Sequence, residues 1–195
     1  MTTETHFAVD GCRVHCLQSG TGRNDVLLLH GASFQASTWE ELGTLDTISR
    51  EGYRATALDL PGHGKSPSCQ VPNTTVLDAG IQELGLENPV LIGPSMGGEV
   101  ALDFALERPE LVRALVLIAP VGVEKVQDRL STLHLPALII WGENDEIAPL
   151  AHGRLLQEKI QGARLEVFEE APHPAYLEKT KRWHRELLDF LKGLE

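Results

Sequence analysis

The segment Gly93-Pro94-Ser95-Met96-Gly97 places a serine between an apolar run and a helical pattern. A serine hydroxyl can act as a nucleophile when it projects from a sharp strand-to-helix turn, and G-x-S-x-G is the spacing of such a nucleophile elbow. Side chains two residues either side of the serine would collide in that turn, which explains the glycines at 93 and 97. The motif predicts Ser95 as a nucleophile. The alternative is a glycine-rich turn in which Ser95 only caps the helix.

A nucleophilic serine needs a histidine base and an acid that orients this base. In the chain order Ser, Asp, His, the acid and the histidine follow later strands. Asp145 comes after the apolar run PALIIWG, and His173 comes after RLEVFEE. His173 would take the proton from Ser95 and return it to the leaving group, while Asp145 would hold the other ring nitrogen. Glu143 and Glu146 lie in the same loop as Asp145 and remain alternatives for the acid.

A developing oxyanion also needs hydrogen-bond donors. Met96 follows the serine at the start of a helix, so its backbone N–H is free to point at the oxyanion, and the positive helix end supports it. The sequence therefore predicts Met96 as an oxyanion donor through its backbone, whatever its side chain.

The elements that must position these residues follow an alternating pattern. From residue 26 onward, short apolar runs typical of buried strands alternate with amphipathic stretches, which predicts a mostly parallel sheet with helices on both faces. Two alternating strands near 6–9 and 13–18, joined by Asp10-Gly11, predict an antiparallel N-terminal hairpin. The predicted helices lie near 37–50, 74–85, 97–108, 123–132 and 150–160, and a final helix carries Trp183, Leu187, Leu188, Leu191 and Leu194 on its core face.

Length and composition predict one α/β domain over residues 1–195, because 42% of the residues are apolar and 23% are charged. The longest apolar runs are far shorter than the roughly 20 residues that span a bilayer.

No secretion signal opens the chain, and the cysteines are odd in number. Cys12 and Cys16 share one strand face at too great a distance for a bridge, so both are predicted to be small buried residues. These features predict a reducing, cytoplasmic setting.

The formal net charge of −11 argues against a nucleic-acid partner, and the basic cluster at 179–182 is interpreted as a solvated helix face. The histidines and cysteines show none of the C-x-x-C or H-E-x-x-H spacings of metal sites, and no glycine-rich nucleotide motif occurs. We therefore expect no metal and no cofactor.

Taken together, the motifs resemble those of the α/β-hydrolase superfamily over nearly the full chain. The matching segments are His30-Gly31-Ala32, Asp59 to Ser66, the elbow at Ser95, Gly142-x-x-Asp145, and His173 with Glu178 five residues on. The resemblance implies a second oxyanion donor at the N–H of Ala32, with the Ser33 hydroxyl as a weaker contributor. It also implies a structural role for His30, hydrogen-bonded within its loop, and a surface turn around His63.

A narrower resemblance is to the small lidless hydrolases of the transcription-factor-interacting factor B type, the α/β-hydrolase domain-containing protein 14 group. It is carried by Leu42 to Leu45, Gly52 to Ala55, the Pro94-Ser95 pair and the tail from Trp183 to Leu191. The elbow GPSMGG and Pro172, which stands where that group has glycine, depart from it. A generic bacterial-type esterase branch is therefore the alternative. The resemblance implies hydrolysis of short activated esters and action on acetylated lysine with acyl transfer to coenzyme A.

Only residues 121–135 separate two predicted strands at the point where many α/β-hydrolases carry a helical cap. So short a connection predicts no cap domain and an open, shallow pocket, with room for a protein partner at its mouth. Its predicted lining, besides Ala32 and Met96, is Ser33, Phe34, Val121, Ile147 and Pro174. The leading hypothesis is a serine hydrolase that cleaves a small carboxylic ester or thioester through an acyl-serine. The alternatives are an acyltransferase or deacetylase that uses coenzyme A or another acceptor, and a non-catalytic interaction module.

Overall fold

The computed structural model describes residues 1–194; the last residue of the predicted domain, Glu195, lies outside the described residues. The strands are β1 (Thr3–Val9), β2 (Cys12–Ser19), β3 (Asn24–Leu28), β4 (Tyr53–Leu58), β5 (Val90–Pro94), β6 (Ala114–Ile118), β7 (Ala137–Gly142) and β8 (Arg164–Phe168). The helices are α1 (Ala36–Glu41), α2 (Thr44–Arg50), α3 (Asn73–Glu83), α4 (Met96–Glu107), α5 (Val123–Val126), α6 (Leu150–Lys159), α7 (Ala175–Glu178) and α8 (Thr180–Lys192). Short 3-10 helices occupy Pro109–Leu111 and Leu130–Thr132.

All eight strands form one sheet in the order β1-β2-β4-β3-β5-β6-β7-β8. The five pairs from β4 through β3, β5, β6 and β7 to β8 are parallel. The β1–β2 and β2–β4 pairs are antiparallel. The β1–β2 turn uses Asp10 and Gly11, with φ of 49° and 78°, as a two-residue hairpin turn requires. The predicted mostly parallel sheet with an antiparallel N-terminal hairpin is confirmed.

Helices cover both faces of this sheet, and a separate apolar core lies on each face. Every residue of β5, β6 and β7 is buried, which is the pattern expected for central parallel strands packed on both sides. One core contains Phe104 and Trp141, and the other contains Trp39, Trp183 and several aliphatic strand residues. The predicted core face of the last helix is largely confirmed, because Trp183, Leu187 and Leu191 are buried.

Two predicted helices are interrupted, the one near 37–50 and the one near 123–132, which consists of α5 (Val123–Val126) and the separate 3-10 helix Leu130–Thr132. The helix predicted over 37–50 is two helices, because Gly43 adopts a left-handed φ of 73° that ends α1 and begins α2. The final helix is preceded by the separate turn α7, with Lys179 between them. The basic cluster at 179–182 is only partly a solvated face, since the Arg182 guanidinium lies 4.5 Å above the Phe168 ring.

The prediction that Cys12 is an unpaired buried cysteine is wrong. Cys12 forms a disulfide with Cys69, and the two Cα atoms lie 6.0 Å apart although 57 residues separate them in sequence. Cys16 is free and buried. The disulfide joins β2 to the segment before α3, a proximity that only the tertiary fold creates. The disulfide removes unpaired cysteines as one of the two grounds for the predicted reducing compartment.

The connection from β6 to β7, where the sequence predicts that no cap is inserted, contains only α5 and the short 3-10 helix Leu130–Thr132.

Within residues 1–194, no helix combines the length and the apolar character needed to cross a bilayer.

Candidate active site

Ser95 lies at the junction of β5 and α4 in a strained backbone conformation, with φ of 50° and ψ of −115°. Left-handed values are uncommon for a residue with a side chain and persist only where the surrounding structure enforces them. Here the Ser95 N–H donates to Ile118 O at 2.9 Å, and the Ser95 carbonyl accepts from Glu99 N at 3.0 Å. Although Ser95 occupies the N-cap position, its side chain makes no capping hydrogen bond. The hydroxyl is therefore not used to cap the helix.

The glycines of the motif are required by close backbone contacts. A Cβ on Gly93 would lie 2.2 Å from Gly97 O, and a Cβ on Gly97 would lie 2.6 Å from His30 O. Contacts this short do not occur for real Cβ atoms, so both positions admit only glycine without movement of the backbone. The glycines allow β5, α4 and the loop after β3 to meet closely enough to form the turn.

His173 and Asp145 form a partly buried hydrogen-bonded pair. His173 Nδ1 lies 2.7 Å from Asp145 Oδ2, and the Asp145 side chain is 1% exposed. The other carboxylate oxygen, Oδ1, accepts from the N–H groups of Ile147 at 2.9 Å and Ala148 at 2.8 Å. These donors fix the carboxylate, which in turn orients the imidazole so that Nδ1–H donates to Asp145. The Nε2 atom of His173 is then the atom available to exchange a proton in the pocket.

The two competing carboxylates lie elsewhere. Glu143 accepts a hydrogen bond from Glu170 N at 3.0 Å through its Oε2 atom. Glu146 is exposed and lines a neighbouring cleft. Among residues 1–194, Asp145 is the carboxylate that hydrogen-bonds His173.

Of the two predicted oxyanion donors, Met96 directly follows Ser95, and Ala32 belongs to a turn next to it. Met96 is the first residue of α4, so its N–H has no acceptor within the helix, while its side chain packs against the core. Ala32 lies in an exposed turn closed by a hydrogen bond from Phe34 N to Gly31 O at 3.0 Å. A Cβ built on Gly31 would lie 3.8 Å from Ser95 Cβ, which places this turn beside the serine.

Two histidines brace the turn that contains Ala32. His30 Nδ1–H donates to Gly31 O at 2.8 Å, and Leu60 N–H donates to His30 Nε2 at 3.0 Å. Burial lowers the pKa of His30, so its imidazole stays neutral, as this pair of contacts requires. The His63 ring lies 4.7 Å from the His30 ring, and its two nitrogens face carbonyl oxygens, Nδ1 that of Pro61 at 3.2 Å and Nε2 that of Ala32 at 3.1 Å. His63 does lie in a turn, but it is half-buried and contacts the loop of the candidate oxyanion donor.

A pocket of about 270 Å³ contains both Ser95 and His173. Its lining residues are Gly31, Ala32, Ser33, Phe34, Pro94, Ser95, Ile147, His173, Pro174 and Tyr176. Of the predicted lining, Ala32, Ser33, Phe34, Ile147 and Pro174 are present. Val121 and Met96 are not part of the wall. The N–H of Val121 instead donates to Ser95 O at 3.3 Å, so this residue stabilises the backbone of the turn at Ser95.

The carboxyl ends of the parallel strands explain how distant residues meet here. Ser95 follows β5, Asp145 follows β7 and His173 follows β8, and all three strands end at the same edge of the sheet.

A family model described as alpha/beta hydrolase fold matches residues 25–131, more than half of the chain. The chain belongs to the α/β-hydrolase fold family. A model of the dienelactone hydrolase family also matches, over residues 82–186.

Two named relatives of this α/β-hydrolase cover most of its length. The human protein named "Putative protein-lysine deacylase ABHD14B" is 37% identical over 185 residues, covering 91% of this chain and 87% of that protein. "Protein ABHD14A" of Danio rerio is 38% identical over 186 residues, covering 89% of this chain and 66% of that protein. The predicted resemblance to this group is confirmed, and the names of its relatives support a hydrolase.

Solved structures agree with this assignment. A structure titled as a predicted CIB-like hydrolase from Thermoplasma acidophilum is 28% identical and superposes with a TM-score of 0.95, covering 99% of both chains. An esterase from Exiguobacterium antarcticum, 23% identical, has the same fold, with a TM-score of 0.84 over 95% of this chain and 97% of that chain.

Three residues that line the pocket of this α/β-hydrolase were not predicted from the sequence: Gly31, Pro94 and Tyr176. Tyr176 follows His173 by three residues and lines the pocket while remaining fully buried. For Tyr176 the sequence offers one usable signal, a tyrosine close after the candidate histidine, but nothing in the chain order shows that α7 brings this residue to the pocket.

Proposed function

We propose that this α/β-hydrolase is a serine hydrolase that cleaves small carboxylic esters or thioesters through an acyl-Ser95 intermediate. The observation that carries the proposal is that His173, held by its hydrogen bond to Asp145, lines the same pocket as the strained Ser95, whose hydroxyl does not cap α4. An oriented imidazole beside a serine on a sharp turn is the arrangement that activates a hydroxyl for acyl transfer. The pocket volume of about 270 Å³ favours a small acyl group.

In the first half of the proposed reaction, Ser95 Oγ attacks the acyl carbonyl carbon and His173 Nε2 takes the hydroxyl proton. The carbonyl oxygen becomes an oxyanion that accepts hydrogen bonds from the N–H groups of Met96 and Ala32. Asp145 stabilises the imidazolium through Nδ1–H. The tetrahedral intermediate then expels the alcohol or thiol, which leaves with the proton from His173.

In the second half, water replaces the departed alcohol or thiol. His173 Nε2 removes a proton from this water as its oxygen attacks the acyl-Ser95 carbonyl carbon. Collapse of the second tetrahedral intermediate breaks the bond to Ser95 Oγ, which recovers its proton from His173. The products are a carboxylic acid and the free enzyme.

A second candidate is hydrolysis or transfer of an acyl group carried by a lysine side chain. The name of the human relative, a protein-lysine deacylase, favours it. The same acyl-Ser95 intermediate would form, with the lysine amine as the leaving group. Release of lysine from short acetyl-lysine peptides, measured with and without coenzyme A, separates this candidate from ester hydrolysis.

The experiment that tests the proposal is labelling with a fluorophosphonate probe, read by intact mass. We expect one adduct on the wild-type protein and none on Ser95→Ala, with strongly slowed labelling of His173→Ala. Ser33→Ala, which removes the other pocket serine, is the matched control and should keep the adduct. A folded wild-type protein that stays unlabelled would instead support a non-catalytic interaction module.

A further inference from the structure

Asp59 is a buried carboxylate that directly follows β4 and lies outside the wall of the pocket. Its Oδ1 atom accepts from Ala36 N at 2.6 Å. Its Oδ2 atom accepts from Lys65 N and from His15 Nδ1–H, both at 2.8 Å. Burial of a carboxylate is costly unless such donors replace its hydration. A Cβ on Gly64 would collide with Oδ2, so the loop after β4 packs directly on Asp59.

The two backbone donors to Asp59 belong to two segments that meet at the candidate oxyanion donor. Ala36 begins α1, at the end of the turn that contains Ala32. Lys65 lies in the loop after β4, and the same loop carries His63, whose Nε2 atom faces Ala32 O at 3.1 Å. Asp59 therefore fixes the segment that carries Ala32 and also the segment that contacts it.

A continuous series of contacts also runs from Asp59 to the Ala32 N–H. Leu60, the next residue, donates its N–H to His30 Nε2 at 3.0 Å, and His30 Nδ1–H donates to Gly31 O at 2.8 Å. The Gly31 carbonyl and the Ala32 N–H belong to one planar trans peptide, so they point in opposite directions. A donor that fixes Gly31 O therefore fixes the direction of the Ala32 N–H.

We propose that Asp59 is a positioning residue that holds the Ala32 N–H in the direction of the developing oxyanion. Because Asp59 lies outside the pocket wall, it acts on the reaction through this turn and not through the substrate. Loss of its contacts should weaken hydrogen bonds that form only in the transition state, which lowers kcat and leaves KM nearly unchanged. This inference rests on the proposed serine-hydrolase function.

The test compares p-nitrophenyl butyrate with its thionoester, in which sulfur replaces the carbonyl oxygen. Sulfur is a weaker hydrogen-bond acceptor, so the thionoester gains less from the oxyanion donors. The ratio of kcat/KM for the oxygen ester to that for the thionoester is divided by the same ratio of the hydroxide-catalysed rates. This corrected ratio does not depend on the fraction of protein that is folded, so a merely structural loss leaves it unchanged.

Asp59→Asn keeps the shape of the side chain but leaves one of the two backbone N–H groups opposite an amide NH2. We expect kcat for the oxygen ester to fall by about tenfold with KM within about twofold, and the corrected ratio to fall by about fivefold or more. Asp25→Asn is the matched control, because Asp25 is also buried and hydrogen-bonded, to Arg54 and to Glu87 N. It lies at the beginning of β3, the opposite end of this strand from Ala32, and should keep the wild-type ratio.

Gly64→Ala tests the same contact if Asp59→Asn does not fold, because its Cβ would displace the Asp59 carboxylate. Gly62→Ala is its matched control in the same loop. Both glycines have a left-handed φ, of 52° at Gly64 and 83° at Gly62, but a Cβ on Gly62 would meet only Ser68, at 3.8 Å. Gly64→Ala should lower the corrected ratio, and Gly62→Ala should keep it.

An unchanged corrected ratio in folded Asp59→Asn, or in Gly64→Ala, would overturn the inference and leave the proposed function intact. A wild-type corrected ratio near one would also overturn it, because no oxyanion donor would then act on the carbonyl oxygen. Failure of the wild-type protein both to hydrolyse the oxygen ester and to react with the fluorophosphonate probe would overturn the proposed function, and this inference with it.

Discussion

At the scale of single residues, a small number of hydrogen bonds orients each group of the candidate site. Asp145 uses both carboxylate oxygens, one for His173 and one for two backbone N–H groups. The backbone donors fix the carboxylate plane before any substrate arrives, which is the kind of preorganisation on which electrostatic catalysis depends. The neighbouring glutamates have no comparable contact with the imidazole.

Asp145→Asn should lower kcat for a short ester by about 10³- to 10⁴-fold. The amide cannot stabilise the imidazolium, and it favours the wrong tautomer of His173. Steady-state hydrolysis with a chromogenic ester measures the loss. Glu143→Gln is the control, because Glu143 bonds the backbone of Glu170 instead of His173, and its kcat should stay within about twofold of wild type. Similar losses in the two variants would remove the distinction between these acids.

At the scale of elements, the decisive contact is the approach of α4 to β5 and to the loop after β3. Gly93, Gly97 and Gly98 make this approach possible, because a Cβ on any of them would collide with backbone atoms. The first turn of α4 carries the Met96 N–H, so any shift of this helix also moves a candidate oxyanion donor. His63 adds a second restraint, from the loop after β4 to Ala32 O.

Gly97→Ala should reduce both stability and turnover, because its Cβ would lie 2.6 Å from His30 O and 3.0 Å from Leu29 Cβ. The backbone must move to relieve these contacts, at a cost of about 1–3 kcal/mol in the free energy of unfolding. Urea unfolding and ester hydrolysis measure the two effects. Gly193→Ala at the end of α8, where the nearest atom lies 3.3 Å away, is the control. A Gly97→Ala protein with wild-type stability and kcat would contradict the role given to this contact.

At the scale of the whole molecule, the sheet separates two apolar cores, and the edge that carries β1 and β2 is joined covalently to the segment before α3. The same segment follows the loop that carries His63. The disulfide therefore links the N-terminal hairpin to the part of the chain that supports the oxyanion turn.

Loss of the disulfide should lower the free energy of unfolding by about 2–4 kcal/mol, because a cross-link over a long loop restricts the unfolded chain. Urea unfolding of Cys69→Ser and of the wild-type protein, each with and without dithiothreitol, measures this difference. Only the wild-type midpoint should move with reductant, and the reduced protein should approach the variant. A wild-type midpoint that ignores reductant would show that the cross-link contributes nothing to stability.

The sequence by itself determined the sheet class, the hairpin and the order of the candidate site residues. Local rules act on these features: apolar runs predict strands, Asp10-Gly11 predicts a two-residue turn, and Ser95, Asp145 and His173 follow strands that end at one edge. The break between α1 and α2 at Gly43 was not predicted, because the apolar spacing continues through both helices. One residue with a left-handed φ is enough to separate them.

Only the tertiary structure decided the contacts between distant segments. It paired Cys12 with Cys69, selected Asp145 over Glu143 and Glu146 as the partner of His173, brought His63 to Ala32 O, and moved Val121 out of the pocket wall. It also placed Tyr176 in the pocket lining. Each of these depends on where packed elements direct a side chain in space, and the spacing of residues along the chain carries no such information.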